Sequence, residues 1–176
     1  MKTANRMKLA AMVLTAGLFG ATMLAGKPPA PQTLDQKVLH ELRMLPRITI
    51  FDDLSFRVDN GVVTLFGEVT QPWKKSDAEN AVKHIEGVAR VDDQIEVLPL
   101  SPMDNGIRMR EYRAIFSGPL YRYALGTQPS IRIIVKNGNV KLVGVVASKQ
   151  DSELAYMRAN GVPGVFAVDN QLRVEK

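Results

Sequence analysis

An internal repeat constrains the fold of this chain more than any other feature. The segments "VDNGVVTLFGEV" (58–69) and "VKNGNVKLVGVV" (135–146) follow one plan at an offset of 77 residues. Each contains an Asn-Gly pair near its start, at 60–61 and 137–138, and this pair supplies the positive φ angles of a tight β-hairpin. Alternating apolar residues follow the pair. The segments "VDDQIEV" (91–97) and "VDNQLRV" (168–174) keep the same offset. A fixed offset over several matching segments indicates a structural unit that is present twice, here called the first and the second copy.

The residues around the first hairpin predict a helix and two strands. Apolar residues recur at helical spacing before Pro46, which ends the helix: Leu34, Val38, Leu42 and Leu45. A first strand is expected within 48–58. The second strand alternates, with Val63, Leu65 and Val69 on one face and Val62, Thr64, Phe66 and Glu68 on the other. Gly67 leaves a gap in the first face, which predicts close approach by a helix.

A second helix and a third strand complete the unit. Ser76 and Glu79 fit a capping box, and Gly87 lies just beyond the predicted helix end. The expected buried stripe of this helix is Ala78, Ala81, Val82 and Ile85. The fold class is therefore α+β: two tandem α-β-β-α-β two-layer sandwiches, each with a small three-stranded mixed sheet and helices on one face. Units this small are marginal alone, so the copies are expected to pack together.

The sequence predicts five consecutive segments. Three basic residues precede an apolar run, a pattern typical of a secretory signal peptide; cleavage near Ala25 or Gly26 is favoured over a retained anchor. The segments are the signal peptide or uncleaved anchor (1–26), a Pro-rich spacer (27–33), the first domain (34–98), a linker (99–106) and the second domain (107–176). In the second domain Gly118-Pro119 breaks the first helix, and 120–125 form a separate helical turn. The chain has no Cys, so its domains hold together by packing alone.

The two halves carry opposite charge within a net charge of +5. Residues 34–98 hold 8 Lys/Arg and 12 Asp/Glu, whereas 101–176 hold 11 Lys/Arg and 6 Asp/Glu. This asymmetry predicts different partners for the two halves.

The repeated segments resemble those of the BON family, a bacterial domain found in osmotically inducible periplasmic proteins and related envelope proteins. The segments that carry the resemblance are "VDNGVVTLFGEV", "IEGVARVDDQIEV", "VKNGNVKLVGVV" and "VPGVFAVDNQLRV". The resemblance implies the α-β-β-α-β fold, a periplasmic location in the cell envelope and a role at phospholipid surfaces rather than catalysis. The glycines of the pattern are structural and carry no site.

No motif in the chain indicates an enzyme, a cofactor or a metal. His40 and His84 lack a pattern of neighbouring ligands, and there is no thiol, nucleophile elbow or phosphate-binding glycine loop. The pairs Asp52-Asp53 and Asp92-Asp93 are interpreted as solvated turns rather than cation sites. Neither a small-molecule substrate nor a nucleic acid is expected, since the basic charge is modest and the first half is acidic.

The segment 108–123 is the candidate lipid-binding element. On a helical wheel Arg110 and Arg113 face away from Met109, Tyr112, Ile115 and Phe116. Arginine suits phosphate and tyrosine suits the membrane interface, so the segment is expected to contact anionic phospholipid. The candidate residues are Arg110, Tyr112, Arg113, Tyr121, Arg122, Tyr123 and Trp73. Two alternatives stay open: a solvated face over a core capped by tyrosines, and contact with the acidic first half or another polyanion.

Two further interpretations also stay open. Trp73, beside Lys74 and Lys75 in a predicted loop, either touches a membrane interface or closes the end of the first core. The whole protein is either a lipid-associated envelope protein or an interaction module with an envelope protein partner. The second possibility follows from the apolar outward sheet faces and from similarity to ring-building domains of secretion channels.

Overall fold

The computed structural model describes residues 32–126 and 129–175, so the predicted signal or anchor and most of the spacer lie outside it. The first copy contains α1 (Leu34–Met44), β1 (Asp53–Asp59), β2 (Val62–Val69), α2 (Pro72–Lys83), β3 (Arg90–Asp93) and β4 (Glu96–Val97). The second contains α3 (Pro102–Ile115), a 3₁₀ helix (Gly118–Ala124), β5 (Ile131–Lys136), β6 (Asn139–Val146), α4 (Lys149–Asn160) and β7 (Ala167–Val174). The predicted α+β fold class is confirmed.

Each copy builds a mixed sheet around the second strand of its hairpin. Strand β2 pairs antiparallel with β1 and parallel with β3 and β4. Strand β6 pairs antiparallel with β5 and parallel with β7. Parallel pairing requires a crossover, and α2 and α4 supply it. The predicted turns are also confirmed, with φ of 49° and 79° at Asn60-Gly61 and 50° and 75° at Asn137-Gly138.

The buried residues form two hydrophobic clusters that follow the two copies, with one exchange. The first cluster includes the predicted inward face of β2 (Val63, Leu65, Val69) and α-helical residues Val38, Leu42, Ala78 and Val82. The second cluster is built from α3, the 3₁₀ helix, β5, β6 and α4. Ile50, which precedes β1, is buried in the second cluster, and Phe51 packs against it. The first copy therefore completes the core of the second.

The close approach predicted at Gly67 comes from a strand rather than a helix. Gly67 has φ +117°, and a Cβ there would overlap the backbone carbonyl of Asp53 in β1. Gly144 repeats the arrangement against Ser130, with φ +129°. The glycine is needed because the hairpin partner, and not a helix, occupies the side-chain position.

Two helices begin earlier than predicted. Helix α2 starts at Pro72, so the capping box expected at Ser76 is not a helix start; Pro72 lies at a position whose N–H needs no partner. Helix α3 starts at Pro102, inside the segment predicted as linker, and the Ser101 side chain caps it by accepting from the Asp104 N–H. In both cases a proline that lay in a predicted loop or linker opens the helix.

The outward faces of the two sheets carry the ion pairs that join the copies. Three cations of β5 and β6 meet three carboxylates of the first copy: Arg132 with Asp53 (3.9 Å), Lys136 with Glu96 (2.5 Å) and Lys141 with Glu68. Beside them the Ile133 N–H donates to the Ile50 carbonyl at 2.8 Å. The opposite charges of the two halves, predicted to reflect different partners, thus partly compensate each other inside the molecule.

Among the residues described, no helix has the length and apolar character needed to cross a membrane.

Candidate functional site

Helix α3 is anchored to the second copy by charged side chains. The buried Asp104 carboxylate accepts from the backbone N–H groups of Asn137 and Gly138, each at 2.9 Å. Arg108, 5 % exposed, donates to the Val135 carbonyl at 2.7 Å and to the Asn105 side chain at 2.5 Å. These bonds tie the helix to the second hairpin and fix which of its faces is outward.

The buried face of α3 therefore differs from the predicted one. Ile115 and Phe116 are buried and Tyr112 is half-buried, as the wheel predicts, and the Tyr112 and Phe116 rings lie 5.3 Å apart. Met109, placed on the same side, is 47 % exposed. The wheel failed there because it assigned charged residues outward, whereas Asp104, Arg108 and Glu111 occupy the inward positions.

Glu111 is fully buried, and neither carboxylate oxygen has a hydrogen-bond partner among the described residues. Burial raises the pKa of Glu111 to about 8, although the charge of Arg110 opposes that shift. The side chain is therefore largely neutral at pH 7, and α3 presents no carboxylate of its own to balance the arginines on its outer face.

Arg110 and Arg113 are exposed on the outer face of α3 and lie along one shallow groove. The groove has a volume of about 470 Å³ and runs between α3 and the C-terminal half of α4. Its lining is Arg110, Arg113, Ala114, Met157, Arg158, Gly161, Val162 and Pro163. No carboxylate is in that lining, and in the described part of the chain neither Arg110 nor Arg113 forms an ion pair. We name this feature the arginine groove.

Two residues of the arginine groove, Met157 and Arg158, were not predicted from the sequence. Arg158 donates to the carbonyls of Ile115 (3.0 Å) and Ser117, so it caps the end of α3 while lining the groove. Met157 beside it is 62 % exposed. Both lie on α4, 44 or more residues from Arg113, so no local pattern linked them to the candidate segment.

Two other candidates, Arg122 and Tyr123, contact Asp151 at the opposite end of α4. The Tyr123 hydroxyl donates to Asp151 (2.9 Å) and accepts from the Ala147 N–H (2.8 Å), and its ring is buried. Arg122 pairs with Asp151 at 2.7 Å. Tyr121 is exposed. Asp151 lies in the first turn of α4, whereas the arginine groove lies at the other end of that helix. Arg122 and Tyr123 are therefore not brought to Arg110 and Arg113.

Trp73 lies in the first turn of α2 rather than in the predicted loop. It is 37 % exposed, with the Arg47 guanidinium 4.3 Å above its ring. It lines a different cavity from the arginine groove, one shared with α3 of the second copy. Trp73 thus neither closes the first core nor joins the other candidates.

The prediction for Asp52 was wrong, since this residue is not in a solvated turn. Asp52 is fully buried and accepts from the N–H and hydroxyl of both Thr49 and Thr70, and from the Lys74 ammonium at 2.5 Å. Burial alone would raise its pKa, but hydrogen bonds from Lys74, Thr49 and Thr70 bring the pKa below its ordinary value. The described residues contain no cluster of three or more potential metal ligands.

The fold and the repeat define a tandem protein of small α+β domains. The BON domain profile matches residues 32–99 and 123–176, and the chain belongs to the BON domain family. The second match begins after α3, so the helix that carries Arg110 and Arg113 lies outside the residues that the family profile matches.

A curated relative is Osmotically-inducible protein Y of Escherichia coli (strain K12), 28 % identical over 127 residues. The alignment covers 70 % of this chain and 62 % of that relative. Similar solved structures include the C-terminal domain of CdsD, a structural protein of the type III secretion system of Chlamydia trachomatis, at 13 % identity and a TM-score of 0.31. That match covers 84 % of this chain and 100 % of CdsD's domain; a second CdsD structure gives 14 % identity, a TM-score of 0.28, and coverages of 81 % and 93 %.

Proposed function

We propose that this protein is a non-enzymatic, periplasmic protein of the cell envelope that associates with anionic phospholipid surfaces. Association occurs mainly through the second BON copy and supports membrane integrity under osmotic stress. The location is supported by the predicted export signal and by the BON family. The stress role is supported by the relative named for osmotic induction.

The observation that carries the proposal is the arginine groove. Arg110 and Arg113 project from one helix without carboxylate partners in the described part of the chain, whereas the cations of β5 and β6 are paired with the first copy. Guanidinium groups bind phosphate through forked hydrogen bonds, and the exposed Met157 offers an apolar contact beside them. Such a surface suits the headgroup region of an anionic bilayer.

The rival function, an assembly module without lipid binding, is supported less well. It was favoured by the apolar outward sheet faces, with Val62, Phe66, Val143 and Val145. Those faces also carry Glu68 and Lys141, which pair with each other between the copies. A contact inside the molecule therefore accounts for part of the surface that the rival function would use.

Co-sedimentation with vesicles tests the lipid proposal. The protein is expected to pellet with anionic vesicles more than with neutral ones, and less at raised salt because salt screens exposed charges. The double variant Arg110→Gln/Arg113→Gln should weaken binding by about 2 kcal/mol, at about 1 kcal/mol for each basic residue near the surface.

The matched control is Lys37→Gln/His40→Gln on α1, which alters exposed or half-buried residues of the first copy and should retain binding. Equal pelleting with anionic and neutral vesicles, or equal loss in both double variants, would refute the proposal. A stable oligomer in solution without vesicle binding would favour the assembly module.

A further inference from the structure

A second cavity, of about 430 Å³, lies between the two copies and shares no lining residue with the arginine groove. The first copy contributes Arg47, Thr49, Phe51, Thr70, Gln71, Trp73 and Lys74. Helix α3 of the second copy contributes Asn105, Arg108 and Met109. The lining thus holds three cationic side chains and no carboxylate. Because both copies supply walls, the cavity exists only in the tandem arrangement.

Arg108 places an unbalanced positive charge against this cavity. It is 5 % exposed, and its hydrogen bonds go to neutral acceptors, the Asn105 side chain and the Val135 carbonyl. Its buried Nε has no partner among the residues described. A buried charge without a counterion is costly, so an anion in the adjacent cavity would stabilise it.

The neighbouring carboxylates do not remove this imbalance. The charge of Asp104 acts on Arg108, but the Asp104 carboxylate accepts its hydrogen bonds from the Asn137 and Gly138 N–H groups. The charge of Asp52 also acts on Arg108, but the Asp52 carboxylate is paired with Lys74. Lys74 is therefore compensated at the cavity, and Arg108 and Arg47 are the cations available to an anionic occupant.

Arg47 lines the cavity and is exposed to solvent. It adopts φ +64°, a left-handed conformation that is uncommon for a residue other than glycine, and its guanidinium stacks on Trp73. Its side chain is 70 % exposed and lies 4.0 Å from Asp77, a distance at which an exposed pair contributes little. The fork of Arg47 is accordingly accessible to a phosphate or carboxylate.

Part of the remaining wall is apolar, beside the polar side chains of Thr49, Thr70, Gln71 and Asn105. The rings of Trp73 and Phe51 and the side chain of Met109 all line the cavity, and Met109 is 47 % exposed. An inorganic ion would leave these groups in water, whereas a ligand with an apolar body would cover them.

We propose that the cavity between the copies binds a phosphate monoester carried on an apolar body, with the phosphate at Arg47 and the body against Trp73, Phe51 and Met109. The proposal is independent of membrane association at the arginine groove. The ligand is either a free organic phosphate or the headgroup end of a lipid, and the experiment below separates these sources.

Trp73 is the sole tryptophan of the chain, so its fluorescence reports on this cavity directly. Octyl phosphate, used as monomer, is expected to shift Trp73 emission saturably and to give a matching calorimetric isotherm. Octanol should give no saturable shift, and inorganic phosphate should bind more weakly. Arg47→Gln should weaken octyl phosphate binding about tenfold, since it removes a charge-assisted contact. Met109→Glu should weaken binding as well, by placing a carboxylate in the wall.

Two matched controls keep the result specific. Arg57→Gln removes an exposed arginine of β1, and Met103→Glu changes an exposed methionine of α3 outside the cavity. Both should bind octyl phosphate as the unchanged protein does. Equal affinity in Met109→Glu and Met103→Glu, or saturable binding of octanol with the same affinity, would overturn the proposal.

The vesicle experiment distinguishes this inference from the proposed function. Arg110→Gln/Arg113→Gln should lose vesicle binding and keep octyl phosphate binding, which supports a site separate from the arginine groove. If octyl phosphate binding is lost in that double variant, the separate site is refuted. With octyl phosphate binding established, loss of vesicle pelleting in Arg47→Gln identifies a lipid as the source, and retained pelleting identifies a free organic phosphate.

Discussion

The groove between the two helices occurs once in each copy, and the two versions differ in charge. Leu34 of α1 and Ile107 of α3 lie over the equivalent glycines Gly87 and Gly164, which aligns the two helices. The first groove is lined by Gln32, Lys37, His40, Glu41, Ala81, His84 and Ile85. The alignment matches Lys37 with Arg110, His40 with Arg113 and Glu41 with Ala114.

Only the first groove contains a carboxylate, and its Lys37 also reaches Glu86 at 3.7 Å. The repeat provides the shape of the groove twice, while a few positions on α3 and Arg158 on α4 decide its charge. The basic character relevant to an anionic surface therefore belongs to these groove residues, not to the second half in general.

The interior of the copies shows a second contrast of the same kind. In the first copy Lys74 of α2 donates to the Asp52 carboxylate, which also accepts from the Thr70 N–H. At the equivalent position on α4 stands Asp151, which accepts from the Tyr123 hydroxyl, and Tyr123 accepts from the Ala147 N–H. The same junction of sheet and helix is thus built around a buried lysine–aspartate ion pair in one copy and around a tyrosine hydroxyl that joins Asp151 to the Ala147 N–H in the other.

The largest expected effect comes from breaking the buried ion pair. Lys74→Met leaves the Asp52 carboxylate uncompensated and should lower the free energy of unfolding by about 3–5 kcal/mol. Tyr123→Phe removes one hydrogen bond to the Asp151 carboxylate, which keeps Arg122 and Ser148 as partners, and should cost about 1.5–3 kcal/mol. Urea unfolding at pH 7 measures both. Equal costs would contradict the contrast between the copies.

The loss in Lys74→Met should depend on pH. The pKa of Asp52 is lowered in the folded protein, so its stabilising contribution is present above the unfolded value of 3.8 and disappears as pH falls. The difference between Lys74→Met and the unchanged protein should therefore shrink at low pH. Lys83→Met, an exposed change on the same helix, should leave stability nearly unchanged at both pH values.

Local patterns predicted the features that depend on neighbouring residues. The turns at Asn60 and Asn137, the inward residues of β2 and the stripe of α1 all follow from turn chemistry and periodicity. The buried position of Asp52 does not, because its partners Thr70 and Lys74 lie 18 and 22 residues away. Local rules treat an isolated carboxylate as solvated.

Helix α3 shows why the candidate site was only partly predictable. Periodicity places apolar residues inward, so Met109 was placed on the apolar side of the helix and Arg108 was not predicted to be buried. The structure reverses both, since Asp104 and Arg108 gain partners on the second hairpin. Arg110 and Arg113 were placed outward correctly, but their neighbours on α4 depend on how the helices pack.

The next largest expected effect is at Glu111 of α3, which the helix alignment matches with Val38 of α1 in the first copy. Burial raises the pKa of Glu111 to about 8, so folding favours the protonated carboxyl. The folded protein is then destabilised progressively as pH rises from about 4.5 to about 8. Glu111→Leu should raise the free energy of unfolding by about 1–4 kcal/mol at pH 8 and by much less at pH 4.

Denaturant unfolding at the two pH values checks this prediction. Glu153→Gln, an exposed change on α4, should give no comparable pH-dependent gain. A gain in Glu111→Leu that is the same at pH 4 and pH 8 would show that packing, and not the carboxyl charge, separates Glu111 from Val38.

The smallest expected effect is a transfer of the arginine groove to the first copy. The variant Lys37→Arg/His40→Arg/Glu41→Ala reproduces the charges of α3 on α1 while leaving the buried Val38 and Leu42 untouched. Adding about one positive charge and removing one negative charge should strengthen binding to anionic vesicles by about 1–2 kcal/mol.

In the Arg110→Gln/Arg113→Gln background the transfer should restore part of the lost binding, because the groove shape is already present. The reverse change, Arg110→Lys/Arg113→His, removes about one of the two positive charges and both guanidinium forks, so its binding should fall between those of the unchanged protein and the glutamine variant. If the transfer leaves vesicle binding unchanged, groove charge alone does not distinguish the two copies, and α3 must act through a feature other than its charge.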